Sequence, residues 1–254
     1  MPEILYGRNP ILEALRAGRR IRRLLLASGL GRDQRVEEIV QRAGQAGVGE
    51  ETVARSRLDD VAHSEHHQGL AAYFDGRQLE NHGALRELLE HQLPGWPPIF
   101  LCLDEVQDPQ NLGSLARSAE ALGVTALILP RRRTAPLSAA VAKASSGAIE
   151  HLRLVRVGNL VQTLRQLAEL QVSVIGLDAA GTERCDQVDL SSALALVVGA
   201  EGGGLRPLTR RSCEQLVSVP MGGRVQSLNA GVAGALLMYE VARQRQFRFP
   251  GRAS

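Results

Sequence analysis

The chain has 254 residues, 44% hydrophobic and only 3% aromatic, so leucine, valine, isoleucine and alanine must build its core. No apolar run approaches the ~18 residues of a transmembrane helix, and the N-terminus MPEILYGRNP lacks the basic-then-apolar order of a signal peptide, so neither membrane nor secretion is expected. The formal net charge is +3, and Lys143 is the only lysine, so the positive charge is carried by arginine, whose planar fork suits bidentate phosphate contacts.

In chain order, Ile11, Leu12, Ala14 and Leu15 predict a short helix over 9–17, with Pro10 at an early position. Residues 21–27 read as a strand. Asp33 is placed to cap a helix reaching Ala46, with Val36, Ile39 and Val40 on its inner face. A strand near 48–53, a short helix over 58–62 and a strand over 70–74 follow, giving a β/α unit over 1–75. The stretch 76–97 is polar and punctuated by Gly76, Gly83, Pro94, Gly95 and Pro97. It reads as an interdomain linker with a helix over 84–92.

The remainder, 98–254, starts with IFLCLDEV, an apolar run suited to a buried parallel strand. Helices are expected over 112–122, 139–145, 160–170, 207–214 and 228–243. Strands are expected over 125–129, 152–155, 172–177, 194–199 and 216–219. This alternation predicts an α/β fold with a mostly parallel sheet covered by helices on both faces.

Ligands of open α/β sheets bind beyond the carboxyl ends of strands, and three segments there carry unusual chemistry. In DEVQDPQNLGSLARSAEALGV, Asn111 is either an N-cap or a site residue, and Arg117 follows six positions on. In VVGAEGGGLRP, four glycines allow a ligand to touch backbone, while Glu201 among them would repel a pyrophosphate. The segment is neither GxGxxG nor a P-loop. In VPMGGRVQSLNAGVAGALLMYE, Ser227 either caps the last helix or faces a site. Gly231 and Gly234 lie inside that helix, where each costs roughly 0.5–1 kcal/mol relative to alanine, so they need a packing or functional reason.

Other patterns point away from chemistry. His63, His66 and His67 have no carboxylate or cysteine at a metal-site spacing. No G-x-S-x-G surrounds Ser145 and Ser146, which argues against a hydrolase triad. Cys102, Cys185 and Cys213 are scattered without a CxxC, which disfavours a zinc ribbon or thiol redox site and suits a reducing, cytoplasmic compartment. The clusters Arg19, Arg20, Arg22, Arg23 and Arg131, Arg132, Arg133 are candidate nucleic-acid contacts.

Taken together and in this order, NLGSLARSAEALGV, LVVGAEGGGL and VPMGGRVQSLNAGVAGALLMYE resemble the three signature motifs of the SpoU family of RNA ribose 2′-O-methyltransferases, of the SPOUT superfamily. YGRNPILEAL, LLLASG and HHQGLAAYF resemble the small L30e-like substrate-binding domain that many members carry. The resemblance implies a C-terminal trefoil knot, S-adenosylmethionine as cofactor, a homodimer, RNA as substrate and no metal. Within the family the chain looks most similar to enzymes that methylate a guanosine of the peptidyl-transferase loop in 23S rRNA. A tRNA or other rRNA ribose methyltransferase, and a non-catalytic RNA-binding homologue, are the alternatives. By motif position, Asn111, Arg117, Glu201, Ser227 and Asn229 carry the family's polar roles, with Arg117 at the position of the favoured base. Gly199, Val219, Met221 and Leu228 fall where the cofactor is held. Many relatives have Val-Ser after the asparagine, where this chain has Ala230 and Gly231.

Overall fold

The computed structural model describes residues 2–91, 95–225 and 227–249. The chain divides into two compact units, Met1–Gln78 with Pro136–His151, and Leu79–Ala135 with Leu152–Ser254.

The first unit contains β1 (Glu3–Tyr6), α1 (Arg8–Arg16), β2 (Ile21–Ala27), α2 (Gln34–Gln45), β3 (Glu50–Val53), α3 (Arg55–Ala62) and β4 (Leu70–Phe74). Its sheet has the order β1-β4-β2-β3, with β2 and β3 parallel and β4 antiparallel to both its neighbours. Asp33 caps α2 as its position predicts, accepting from the Val36 amide at 3.0 Å. The strand β1 has no counterpart in the sequence reading, because EILY is too short to show alternation. His67 is fully buried: its Nδ1 accepts from the Gly69 amide at 2.9 Å, and Nε2 lies 2.9 Å from Asp59. It thereby fixes the turn before β4.

The segment 136–151, expected to belong to the second domain, joins this unit. Its helix α5 (Ala139–Ala144) packs with β1 and α1. The Glu150 carboxylate, 1% exposed, receives the guanidinium groups of Arg19 and Arg77. A buried carboxylate is held in place only by such pairing, and this one ties the segment to the unit.

The second unit contains α4 (Ala84–Glu90), β5 (Ile99–Asp104), α6 (Pro109–Ala121), β6 (Ala126–Pro130), β7 (Arg153–Val157), α7 (Leu160–Glu169), β8 (Ser173–Leu177), β9 (Glu183–Arg184), β10 (Leu194–Gly199), α8 (Pro207–Arg211), β11 (Gln215–Ser218) and α9 (Ala230–Gln244). All pairings in its seven-stranded sheet, ordered β7-β6-β5-β10-β8-β11-β9, are parallel. The central β5 and β10 are buried along their whole length, as the unbroken apolar runs predict.

The expected linker over 76–97 is largely folded. Glu80 bridges to Val155 beside β7, and Leu85 and Leu88 of α4 enter the core under the sheet. The division between the two units falls within it, between Gln78 and Leu79. The expected end of α4 at Gln92 lies outside the described residues.

Two helix starts also differ from expectation. Asp108, not Asn111, caps α6, accepting from the amides of Gln110 and Asn111. Asn229, not Ser227, caps α9, so that helix begins at Ala230 and not at 228. In both places a neighbouring Asx side chain has better geometry for the free amides of the first turn.

The glycines of α9 have a packing reason. A Cβ at Gly231 would lie 2.9 Å from Ser114 Oγ, and one at Gly234 would lie 2.4 Å from Leu115 Cδ2. Both neighbours belong to α6, so the two helices approach at closer than side-chain distance. Alanine at an open helical glycine should therefore behave oppositely from alanine here. Gly234→Ala should lower unfolding free energy, because overpacking of about 1–3 kcal/mol exceeds the roughly 1 kcal/mol of helix propensity gained. Gly44→Ala in α2, where a Cβ meets nothing within 4 Å, should raise it by up to about 1 kcal/mol. Urea denaturation of the two variants measures both signs.

Candidate active site

Strands β10, β8 and β11 lie side by side, and their carboxyl ends open into a cleft of ≈ 320 Å³. Leu177 and Asp178 enter it from β8, Val198 and Gly199 from β10, and Val219 from beyond β11. The loop 200–204 forms one wall. It closes on itself through the Ala200 amide to the Gly204 carbonyl at 3.1 Å and the Gly204 amide to the Ala200 carbonyl at 2.9 Å. Gly202 and Gly204 have φ of 73° and 61°, which glycine adopts without penalty. A Cβ on Gly199 would lie 2.2 Å from the Gly204 carbonyl oxygen, so the strand end and the returning loop touch backbone to backbone. Met221, Ser227 and Leu228 form the opposite wall.

The loop is pinned from behind. Asp104 ends β5 next to Gly199 in register, and its carboxylate is wholly buried. It accepts from the Arg206 amide at 2.8 Å and from Arg206 Nε at 2.7 Å. A carboxylate at that depth is tolerable only with such charge-assisted partners, and here both come from the residue just past the glycines.

Three side chains from three segments meet at the front of the loop. Asn111 Nδ2 donates to Glu201 Oε2 at 2.9 Å, and Asn229 Nδ2 donates to Asn111 Oδ1 at 2.7 Å. Asn229 Nδ2 also lies 3.4 Å from the same Glu201 oxygen. The other end of the Asn229 side chain caps α9, with Oδ1 accepting from the amides of Gly231 at 2.9 Å and Val232 at 3.2 Å. One asparagine therefore joins the N-terminus of α9, the first turn of α6 and the glycine loop.

The structure thus brings Asn111, Glu201 and Asn229 together and places Glu201, Ser227, Gly199, Val219, Met221 and Leu228 on the cleft wall. Arg117 is not among them. It stands exposed on α6, outside the cleft lining, with no ion pair among the described residues. Three contributors escaped the sequence reading. Asp178 and Arg210 line the cleft and lie 3.4 Å apart, and Arg206 anchors the loop. Asp178 had a signal, since it follows β8 as Glu201's loop follows β10. The pairing of Arg210 and Arg206 with acids 32 and 102 residues away left none.

This geometry agrees with comparison to known proteins. Residues 98–239 match the model of the SpoU rRNA Methylase family, and residues 4–79 match that of the RNA 2′-O ribose methyltransferase substrate-binding domain. The chain belongs to the SpoU family. It is 38% identical over 243 residues to YacO of Bacillus subtilis, a protein assigned to the TrmH family of tRNA/rRNA methyltransferases, covering 96% of each chain. An uncharacterized tRNA/rRNA methyltransferase of Mycobacterium marinum is 39% identical over 96% of this chain and 78% of that one. Among solved structures, the SpoU methyltransferase AviRb from Streptomyces viridochromogenes in complex with AdoMet superposes with a TM-score of 0.79 at 24% identity, covering 99% of this chain and 92% of that one. An RNA 2′-O ribose methyltransferase superposes with a TM-score of 0.77 at 25% identity, covering 96% and 88%.

The SpoU site should be held together by its polar anchors. Asp104→Asn should cost about 3 kcal/mol, the low end for removing one half of a buried pair, because the Arg206 side chain is 40% exposed and can turn to water. Asn229→Ala should cost roughly 0.5–2 kcal/mol through the lost cap. Urea denaturation with equal m-values across the variants checks both.

Proposed function

We propose that this SpoU protein transfers a methyl group from S-adenosylmethionine to the ribose 2′-oxygen of a guanosine in the peptidyl-transferase loop of 23S rRNA. The observation that carries the reading is the joining of Asn111, Glu201 and Asn229 at the mouth of a cleft walled by glycine backbone.

The cleft suits that cofactor. Its volume falls within the ~300–1,000 Å³ of small-molecule sites. Leu177, Val198, Met221 and Leu228 offer apolar surface for a base, the loop 199–204 offers peptide groups, and Asp178 and Glu201 against the single Arg210 leave a net negative charge, which favours a cationic ligand over a phosphate. When bound, S-adenosylmethionine supplies a sulfonium-activated methyl group to the attacking 2′-oxygen. The protein's task is then positioning, which can account for up to ~7–11 kcal/mol of a barrier. Glu201 fixes the two asparagine amides, and Ser227 lines the cleft where it can meet the ribose.

The 2′-hydroxyl must also lose its proton. Arg117 serves there, either by stabilising the developing alkoxide beside a phosphate, with water taking the proton, or by accepting the proton itself in a dry site. Because Arg117 stands outside its own chain's cleft, it acts in the site of a second copy. A homodimer is part of this reading. Val232, Leu236 and Tyr239 form an exposed apolar stripe on α9, continued by Phe247, whose ring lies 5.5 Å from that of Tyr239. So is the trefoil knot. Past β11 the chain returns to lay α9 on α6, β8 and β10, the path that a threaded C-terminal segment needs. Three unpaired cysteines suit a cytoplasmic enzyme.

The deciding experiment is transfer of tritiated methyl from S-adenosylmethionine to unmodified total RNA, followed by mapping of alkali-resistant linkages. Label at one guanosine of 23S rRNA is expected. Label confined to tRNA overturns the target, and no label favours a non-catalytic RNA-binding homologue. Arg117→Ala should lower single-turnover rate by about 10²–10⁴-fold, with cofactor affinity unchanged. Leu236→Glu with Tyr239→Glu should yield a monomer by sedimentation velocity.

A further inference from the structure

A second cleft, of ≈ 910 Å³, opens on the other side of the Asp104–Arg206 anchor. Its floor is the carboxyl ends of β5 and β6 and the turn 158–161 that starts α7. Four arginines line it: Arg132 and Arg133 from the turn after β6, Arg165 from α7, and Arg206 from beyond the glycine loop. Glu105 is the one acid among the lining residues. It is engaged, since Arg133 Nη1 donates to it at 2.5 Å and Arg206 Nε lies 3.4 Å away. That pairing orders the two arginines without neutralising the group. Arg132 and Arg165 are exposed and have no ion pair among the described residues.

Four cations around one acid, at the rim of a cleft whose remaining walls are the apolar Pro130, Leu160, Val161 and Leu208, favour a polyanion over a cation. Lys143 lies outside the cleft, so every cationic donor in it is a guanidinium, the group that matches phosphate oxygens two at a time. The first amides of α7 add donors at the same place, with Asn159 capping only Gln162. The Asp104–Arg206 contact separates this cleft from the cofactor cleft by the thickness of one loop. An RNA strand presenting a ribose to one cleft would therefore lay its neighbouring phosphates in the other.

Resting on the reading of the protein as an RNA methyltransferase, we propose that the cleft lined by Arg132, Arg133, Arg165 and Arg206 seats the phosphodiester backbone of the RNA beside the target nucleotide. Arg206 then has two tasks, holding the glycine loop through Nε and presenting its remaining nitrogens to the strand.

The test is binding of the full-length protein to a labelled peptidyl-transferase-loop transcript of 23S rRNA and to unfractionated tRNA, over a range of salt. The variants are Arg132→Ser, Arg165→Ser, their double, and Arg184→Ser at the opposite edge of the sheet as control. Cofactor affinity, measured by calorimetry, should be unchanged in all of them and confirms folding. For the double variant, Kd for RNA should rise at least tenfold. The slope of log affinity against log salt should become shallower by about 1.4, that is about 0.7 for each of two single-strand phosphate contacts. The control should leave both unchanged. An unaltered slope in the double variant, or an equal loss in Arg184→Ser, overturns the proposal. Wild-type protein that binds and methylates RNA while the double variant keeps its slope refutes the cleft alone. Absence of methyl transfer by the wild type refutes the functional reading, and the arginine dependence of binding then still judges the cleft.

Discussion

The buried carboxylate of Asp104 is the constraint on which the catalytic unit turns. It sits at the end of a strand buried along its length, where an unpaired charge would be untenable. Its two hydrogen bonds go to the backbone and the side chain of Arg206. The glycine loop is consequently tethered at both ends, by strand pairing at Gly199 and by Asp104 just past Leu205. A loop with three successive glycines would otherwise have much conformational freedom to lose when it closes on a ligand. Here that cost is met on folding, so the wall of the cleft is largely formed beforehand.

The polar cluster of Asn111, Glu201 and Asn229 depends on that tether. Glu201 can receive two amides only if the loop holds it in front of α6 and α9. The asparagines depend in turn on helix packing, because the glycines of α9 bring its capped end against the first turns of α6. Charge, backbone freedom and close packing are thus arranged so that each stands on the one before. The same chain of dependence separates Glu201, which is fixed from several sides, from Arg117, which is free among the described residues to meet something outside its own chain.

Much of this was legible in the sequence. The parallel sheet followed from apolar runs such as IFLCLD and LALVVG, and the three polar segments lay after strands, where α/β ligands bind. Gly199, Val219, Met221 and Leu228, expected from motif position to hold a cofactor, line one cleft. What local pattern could not show was anything set by distant pairing. Nor could it rank adjacent caps, and Asp108 and Asn229 outcompeted neighbours of similar capping ability. The stretch 76–97 read as a linker because its polar residues hide Leu85 and Leu88, which reach the core. The segment 136–151 left the unit that surrounds it in sequence because Glu150 finds its arginines there.

The contact of Gly231 with Ser114 also says something about how such a protein can change. The two positions share one small volume between α6 and α9, and here serine fills it from α6 while glycine yields it from α9. A serine at 231 would need the room that Ser114 now occupies. Size at the two positions is therefore a shared sum, and drift at one is permitted only with a compensating exchange at the other. Helices joined in this way should change in pairs, with a larger residue at one position matched by a smaller one at the other.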